Sequence, residues 1–219
     1  LLKYLKINVV FNNNKDTFLS LFNSALRMCG LNTNVSNFDF LTYKNDNNFS
    51  KNIGIKNYIH IHIDEKWSVN LYIKNYTDIK LCYNEFVSFL EHLVAHNNIL
   101  ITTGIIEYDL INDLKEKYFD KILNNIYKKK IGNNSIYLIY MPSFEDLESL
   151  LRSSKIFVSC HCAVTHAANS FGIKIIDIIE EEKKLWYKRW TSYLKNYIPI
   201  YRNKFEIIKP LLIKEIIDR

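Results

Sequence analysis

The chain has 219 residues, 48% hydrophobic and 24% charged, enough for one full core plus a fragment of a second unit. Its net charge of +6 is mild and its lysines are scattered apart from runs at 128–130 and 183–189. This argues against nucleic acid as a partner and leaves a nucleotide diphosphate or an anionic membrane surface. There is no apolar run of roughly 18 residues that could span a membrane as a helix. Four cysteines (Cys29, Cys82, Cys160, Cys162) are too few for a disulfide framework at this length, so reduced thiols and a cytoplasmic location are expected.

The first residues lack the layout of a secretory signal, and because the chain opens on Leu1 rather than Met, the N-terminal part of a longer protein is expected upstream. A short apolar piece is followed by helical spacing over 16–29 (Phe18, Leu19, Phe22, Ala25, Leu26), with Gly30 as its stop. Residues 32–56 are rich in Asn, Asp and Ser and read as a linker. The alternation YIHIHI at 58–63 predicts a strand. A helix over 84–96 presents Phe86, Val87, Leu90, Leu93 and Val94 on one face. A strand at 98–103 stops at Gly104, a helix spans 107–119, and a third strand runs over 136–140. Ser143 caps the next helix, with Asp146 three residues on.

Residues 155–179 (KIFVSCHCAVTHAANSFGIKIIDII) read as strand, polar turn, short helix, Gly172 and strand. A polar turn between a strand's carboxyl end and a helix is where parallel α/β sheets hold anionic ligands, which makes it the leading candidate site. The tail reads as helical over 181–197, broken by Pro199, with a last amphipathic helix at 205–218. Five strands alternating with four helices predict one Rossmann-like parallel sheet with flanking helices, an α/β fold, over roughly 57–180.

Three motifs in this order resemble the C-terminal half of glycosyltransferase family 9, the ADP-heptose lipopolysaccharide heptosyltransferases. His161-Cys162-Ala163-Val164-Thr165-His166-Ala167-Ala168 with Gly172 is similar to the family's Asp-Thr/Ser-Gly turn, its His and its Ala-Ala. DEKW at 64–67 resembles the family's Lys/Trp segment, and ITTGIIE at 101–107 its Thr-Gly-Gly turn with a following Glu. The likeness covers about 57–180, and 15–40 more loosely. It departs at the turn, where His161, Cys162 and Ala163 stand for the family's Asp, Thr/Ser and Gly. Ala163 adds a Cβ where glycine would let a phosphate approach the backbone.

The resemblance implies the C-terminal half of a GT-B glycosyltransferase, divided as 1–50 (remnant of an N-terminal domain and linker), 51–202 (nucleotide-sugar-binding domain) and 203–219 (terminal helix). It implies a nucleotide-sugar donor (ADP-heptose), a lipid-linked or oligosaccharide acceptor, peripheral contact with the inner membrane and no metal or other cofactor. Lys66 is the expected diphosphate cation, a compact point charge after the first strand; its plain alternative is a solvated surface lysine. The turn at His161, Cys162, Ala163, Thr165 and His166 would add backbone and side-chain donors, while His166 reads equally as a core histidine. Thr103 and Gly104 would pass close to the nucleoside. Glu107 would hold the ribose hydroxyls, or simply favour a helix dipole. No catalytic base is assigned: it is expected in the missing N-terminal domain, and Asp64 and Glu65 read as a solvated turn.

Other readings weigh less. The spacings around Cys160, His161, Cys162 and His166 do not match usual zinc sites. His60 and His62 share a strand face and read as exposed or ligand-facing. Cys162 with His166 has no orienting acid for thiol catalysis. The aromatic and cationic residues 186–190 fit a membrane interface or a helix packed on the missing domain. A non-catalytic nucleotide-binding module of the same fold is the alternative to an enzyme.

Overall fold

The computed structural model describes residues 17–31, 48–67 and 79–217. Expectations that fall on 1–16, 32–47, 68–78 and 218–219 lie outside the described residues. Helix α1 (Phe18–Met28) is capped by the Thr17 hydroxyl, which accepts from the Ser20 amide, and ends where Gly30 takes φ +77. A short helix α2 (Phe49–Asn52) stands where a linker was expected. Buried Ser50 holds it in place, because its hydroxyl lies 2.9 Å from that of Ser153 at the end of helix α5 (Phe144–Arg152).

The strands are β1 (Tyr58–Ile63), β2 (Ile99–Thr103), β3 (Asp120–Leu123), β4 (Ile126–Ile131), β5 (Asn134–Ile139), β6 (Ser154–Cys160), β7 (Lys174–Ile179) and β8 (Tyr197–Tyr201). They form one sheet in the order β3-β4-β5-β2-β1-β6-β7-β8, parallel except that β4 of the β3–β4 hairpin runs antiparallel to both β3 and β5. Without that hairpin the order is that of a doubly wound Rossmann sheet, whose direction of winding reverses between β1 and β6. The expected α/β class holds.

Both faces of the sheet are covered. The remaining helices are α3 (Tyr83–Val94), α4 (Asp109–Asp113), α6 (Ala163–Asn169), α7 (Lys184–Thr191) and α8 (Phe205–Ile217). α3 and α8 bring Phe86, Phe89, Leu93, Phe205 and Leu212 onto Ile59, Ile61 and Ile63 on one face. On the other, α2, α5 and α6 meet Tyr58, Leu100, Phe157 and Ile175. β1 is therefore buried at all six positions, and its alternation reports two different faces rather than one wet and one dry.

Three elements depart from the sequence reading. The helix expected over 107–119 is α4 followed by a π-helical turn at Leu114–Tyr118. The β3–β4 hairpin was not foreseen: residues 128–130 read only as a run of lysines, but Lys128 lies over the Tyr137 ring and Lys129 over the Tyr118 ring. Each ammonium is drawn to the negative face of its ring, a cation–π contact. The helix expected to reach residue 197 stops at Thr191, and β8 follows with Pro199 on an edge strand, where a missing N–H is tolerated. The turn at 161–166 thus joins β6 to β7, which is not the last strand of the sheet.

Candidate active site at the sheet reversal

The carboxyl ends of β1 and β6, where the winding reverses, set the turn after Ile63 against the turn after Cys160, the position of the crevice in doubly wound sheets. Ligands of open α/β sheets enter at this position. The first turn is a short 3-10 helix, Glu65–Trp67, pinned from several sides. The Asp64 carboxylate accepts from the Lys66 amide at 3.1 Å, the buried Trp67 indole donates to the His62 carbonyl, and Tyr108 donates to the Asp64 carbonyl. Arg202, just past β8, donates to the Lys66 carbonyl and to Cys160 Sγ.

Lys66 spans the crevice. Its Nζ lies 3.0 Å from Asp64 Oδ2 and donates to the His161 carbonyl at 2.8 Å, tying the two turns together. Its side chain is 17% exposed, so it is no ordinary solvated lysine. Burial works against its charge, but Asp64 and the sulfurs of Cys162 and Cys160 outweigh it and raise its pKa. Asp64 is itself buried, not part of a solvated turn, and burial pushes its carboxyl up despite the neighbouring ammonium.

Beneath the crevice a row of buried polar side chains crosses four neighbouring strands: Thr102, His62, Ser159 and Asp177, matched in register. The Thr102 hydroxyl sits 3.0 Å from His62 Nδ1 and 2.8 Å from His60 Nε2. One hydroxyl proton serves two ring nitrogens, so at least one imidazole donates to it. Burial holds both histidines neutral, with the His62 pKa lowered to about 4. The sequence reading of these histidines as exposed or ligand-facing is corrected for His60, which is fully buried among Tyr58 and Phe157.

Asp177 organises the second turn. Its carboxylate lies 2.6 Å from His161 Nδ1 and accepts from Tyr197 at 2.9 Å and from Thr165 at 3.4 Å. Thr165 is fully buried: its Oγ1 accepts from the Cys162 amide and lies 3.0 Å from Ser159 Oγ. It shapes the turn and does not face the crevice. Cys162 caps α6, and burial pushes its thiol up to about 11. Ala163 is exposed at the first position of α6. The His161 ring meets His166 and Tyr187 edge-on. His166 Nδ1 lies 2.6 Å from the Tyr193 hydroxyl and the rings stack; burial lowers its pKa to about 4.

The expected nucleoside residues lie along the edge of β2. Thr103 is buried, its hydroxyl accepting from the Met141 amide. Gly104 donates to the Ile63 carbonyl, and a Cβ there would come 3.3 Å from Asp64 Cβ, so glycine lets the two strand ends approach. Glu107 is exposed and paired with Lys115 at 2.6 Å. The structure thus gathers Lys66, His161, Cys162 and His166 around one crevice and places Glu107 on the next turn outward. Sequence reasoning missed Asp177, Tyr187, Tyr193, Tyr197 and Arg202. A lone acid inside the apolar strand KIIDII was the available signal for Asp177.

No helix among the described residues is long and apolar enough to cross a membrane. No family model matches the chain, and no curated protein sequence matches it. Among solved structures, a glycosyl transferase family 9 protein from Veillonella parvula DSM 2008 superposes with a TM-score of 0.57 at 9% identity, over 94% of this chain and 54% of that one. The wall teichoic acid polymerase TagF aligns at a TM-score of 0.43 and 8% identity, over 80% of this chain and 40% of that one. The chain spans about half the length of the family 9 structure, and at this identity the likeness is one of fold: a Rossmann-like sheet of the kind found in GT-B glycosyltransferases.

Proposed function

We propose that this chain is the donor-binding half of a glycosyltransferase, moving a sugar from a nucleotide-sugar donor to a glycan acceptor. By the motif resemblance the donor is ADP-heptose and the acceptor lipopolysaccharide core or a related lipid-linked glycan. The observation that carries the reading is Lys66, a charged ammonium bridging both turns at the reversal of a doubly wound sheet. Glycosyl transfer from such a donor requires the departing diphosphate to be stabilised as its charge grows. An ammonium has three N–H groups; Asp64 and the His161 carbonyl engage two, and the third serves a phosphate oxygen.

His161 adds a second donor. With Nδ1 held by Asp177, its Nε2 serves the phosphate side. Helix α6 has seven residues, so side chains and turn amides, rather than a long dipole, supply the attraction. Glu107 takes the ribose hydroxyls after exchanging its Lys115 partner. The base that deprotonates the acceptor comes from the other half of the enzyme. A non-catalytic nucleotide-binding module is the second reading, favoured by one observation: the position where the family presents a carboxylate holds His161, whose Nδ1 is engaged by Asp177.

A thermal-shift panel of ADP, UDP, GDP and CMP conjugates tests the class of ligand. One diphosphate conjugate is expected to raise the melting temperature; no response to any of them contradicts the proposal. Lys66→Ala is expected to weaken the responding nucleotide by about 1.5–3 kcal/mol, the worth of a hydrogen bond to a charged group, and His166→Ala to weaken it less. Calorimetry giving wild-type affinity in both variants would remove the site assignment.

A further inference from the structure

The same crevice brings together three side chains of metal-ligand type. One ligand atom each from His62, Asp64 and Cys162 lies within 4.8 Å of the others. His62 and Asp64 are far from Cys162 in sequence: parallel pairing of β1 with β6 puts the His62–Asp64 strand end beside the Cys162 turn. We propose that His62, Asp64 and Cys162 form a binding site for one zinc-class divalent metal ion, independent of any nucleotide.

The donor set is one imidazole, one carboxylate and one thiol. That mixture suits Zn²⁺ or Co²⁺ and not Mg²⁺ or Ca²⁺, which take all-oxygen shells. Each donor is oriented by a second partner, as metal sites require. His62 Nδ1 is held by Thr102, leaving Nε2 for the ion. Asp64 is fixed by the Lys66 amide. Cys162 is fixed through its own amide on Thr165, and Thr165 in turn sits on Asp177. Binding exchanges the Cys162 thiol proton, released to water, for a sulfur–metal bond. Three protein donors leave the fourth tetrahedral position to water or another oxygen ligand.

Lys66 is the resident cation here, through its contact with Asp64 Oδ2. Metal and ammonium therefore compete for the same carboxylate. This gives the site a signature that surface thiols and stray histidines lack: removing the lysine strengthens metal binding.

The test is a Co²⁺ titration of the 219-residue chain after chelator treatment, without nucleotide, in a Cys29→Ser/Cys82→Ser background that removes the two exposed thiols. One equivalent of Co²⁺ is expected to produce a thiolate-to-cobalt charge-transfer band and tetrahedral visible bands, both displaced by Zn²⁺. Cys162→Ser is expected to abolish the charge-transfer band, and Asp64→Asn to weaken affinity at least about tenfold. Lys66→Met is expected to tighten binding several-fold. Circular dichroism and a thermal melt on each variant separate lost ligation from lost folding. A titration with no charge-transfer band, or one whose band survives Cys162→Ser, overturns the proposal. Because no nucleotide is present, either result leaves the donor-binding reading to be judged on its own panel.

Discussion

Asp177 shows how one residue can set the shape of a site without facing it. It is fully buried and serves His161, Thr165 and Tyr197 at once. An amide in its place offers one oxygen and two N–H donors, so it cannot satisfy three donors together. Asp177→Asn is expected to lower stability in urea unfolding by about 2 kcal/mol or more, and to loosen the turn at 161–166. An unchanged unfolding midpoint would show that the carboxylate is not the organiser. At this scale the sequence was legible where a residue's role follows from its neighbours in the chain. Lys66 within DEKW and the HCAVTHAA turn were singled out that way, and the fold brings the two into contact. Thr165 was misjudged because its partners, Ser159 and Asp177, face it only once β6 and β7 pair. Asp64 was read as solvated for the same reason: Tyr108 and Gly104, which cover it, come from beyond β2.

Among the elements, α8 and α3 carry much of one face of the sheet. Phe205 meets Phe89 edge-on at 5.5 Å between ring centroids, and both are buried. Phe205→Ala removes a whole aromatic ring from this contact and is expected to cost about 3–5 kcal/mol, measured by denaturant unfolding. A loss under about 1 kcal/mol would mean that α8 is only loosely attached. The helices and central strands were legible because their periods are strong and their lengths ordinary. The misses share a cause. The β3–β4 hairpin is written with lysines, two of whose ammonium groups lie over tyrosine rings, a contact no periodicity reveals. β8 contains Pro199, which reads as a breaker until the strand is known to lie at the sheet's edge. α2 is four residues long, too short to show a period, and is held by serine contacts to α5.

For the molecule as a whole, the buried histidines predict an acid-sensitive fold. His62 and His166 titrate near 4 when folded and near their ordinary 6.5 when unfolded, and burial lowers His60 as well. Between those limits the unfolded chain binds protons that the folded chain refuses. Stability is therefore full above about pH 6.5 and lost progressively as pH falls toward 4. Unfolding midpoints from pH 7.5 down to 4.5 should fall steadily, and less steeply in His166→Gln. A flat profile across that window would contradict the burial assigned to these rings.

The proposed donor site and the proposed metal site both lie at the reversal between β1 and β6. Hydrogen–deuterium exchange with and without the nucleotide chosen by the thermal panel reads that convergence directly, amide by amide. Protection concentrated at 64–67 and 161–166 is the predicted result. Protection confined to α7 and β8, with those two turns unchanged, would contradict it.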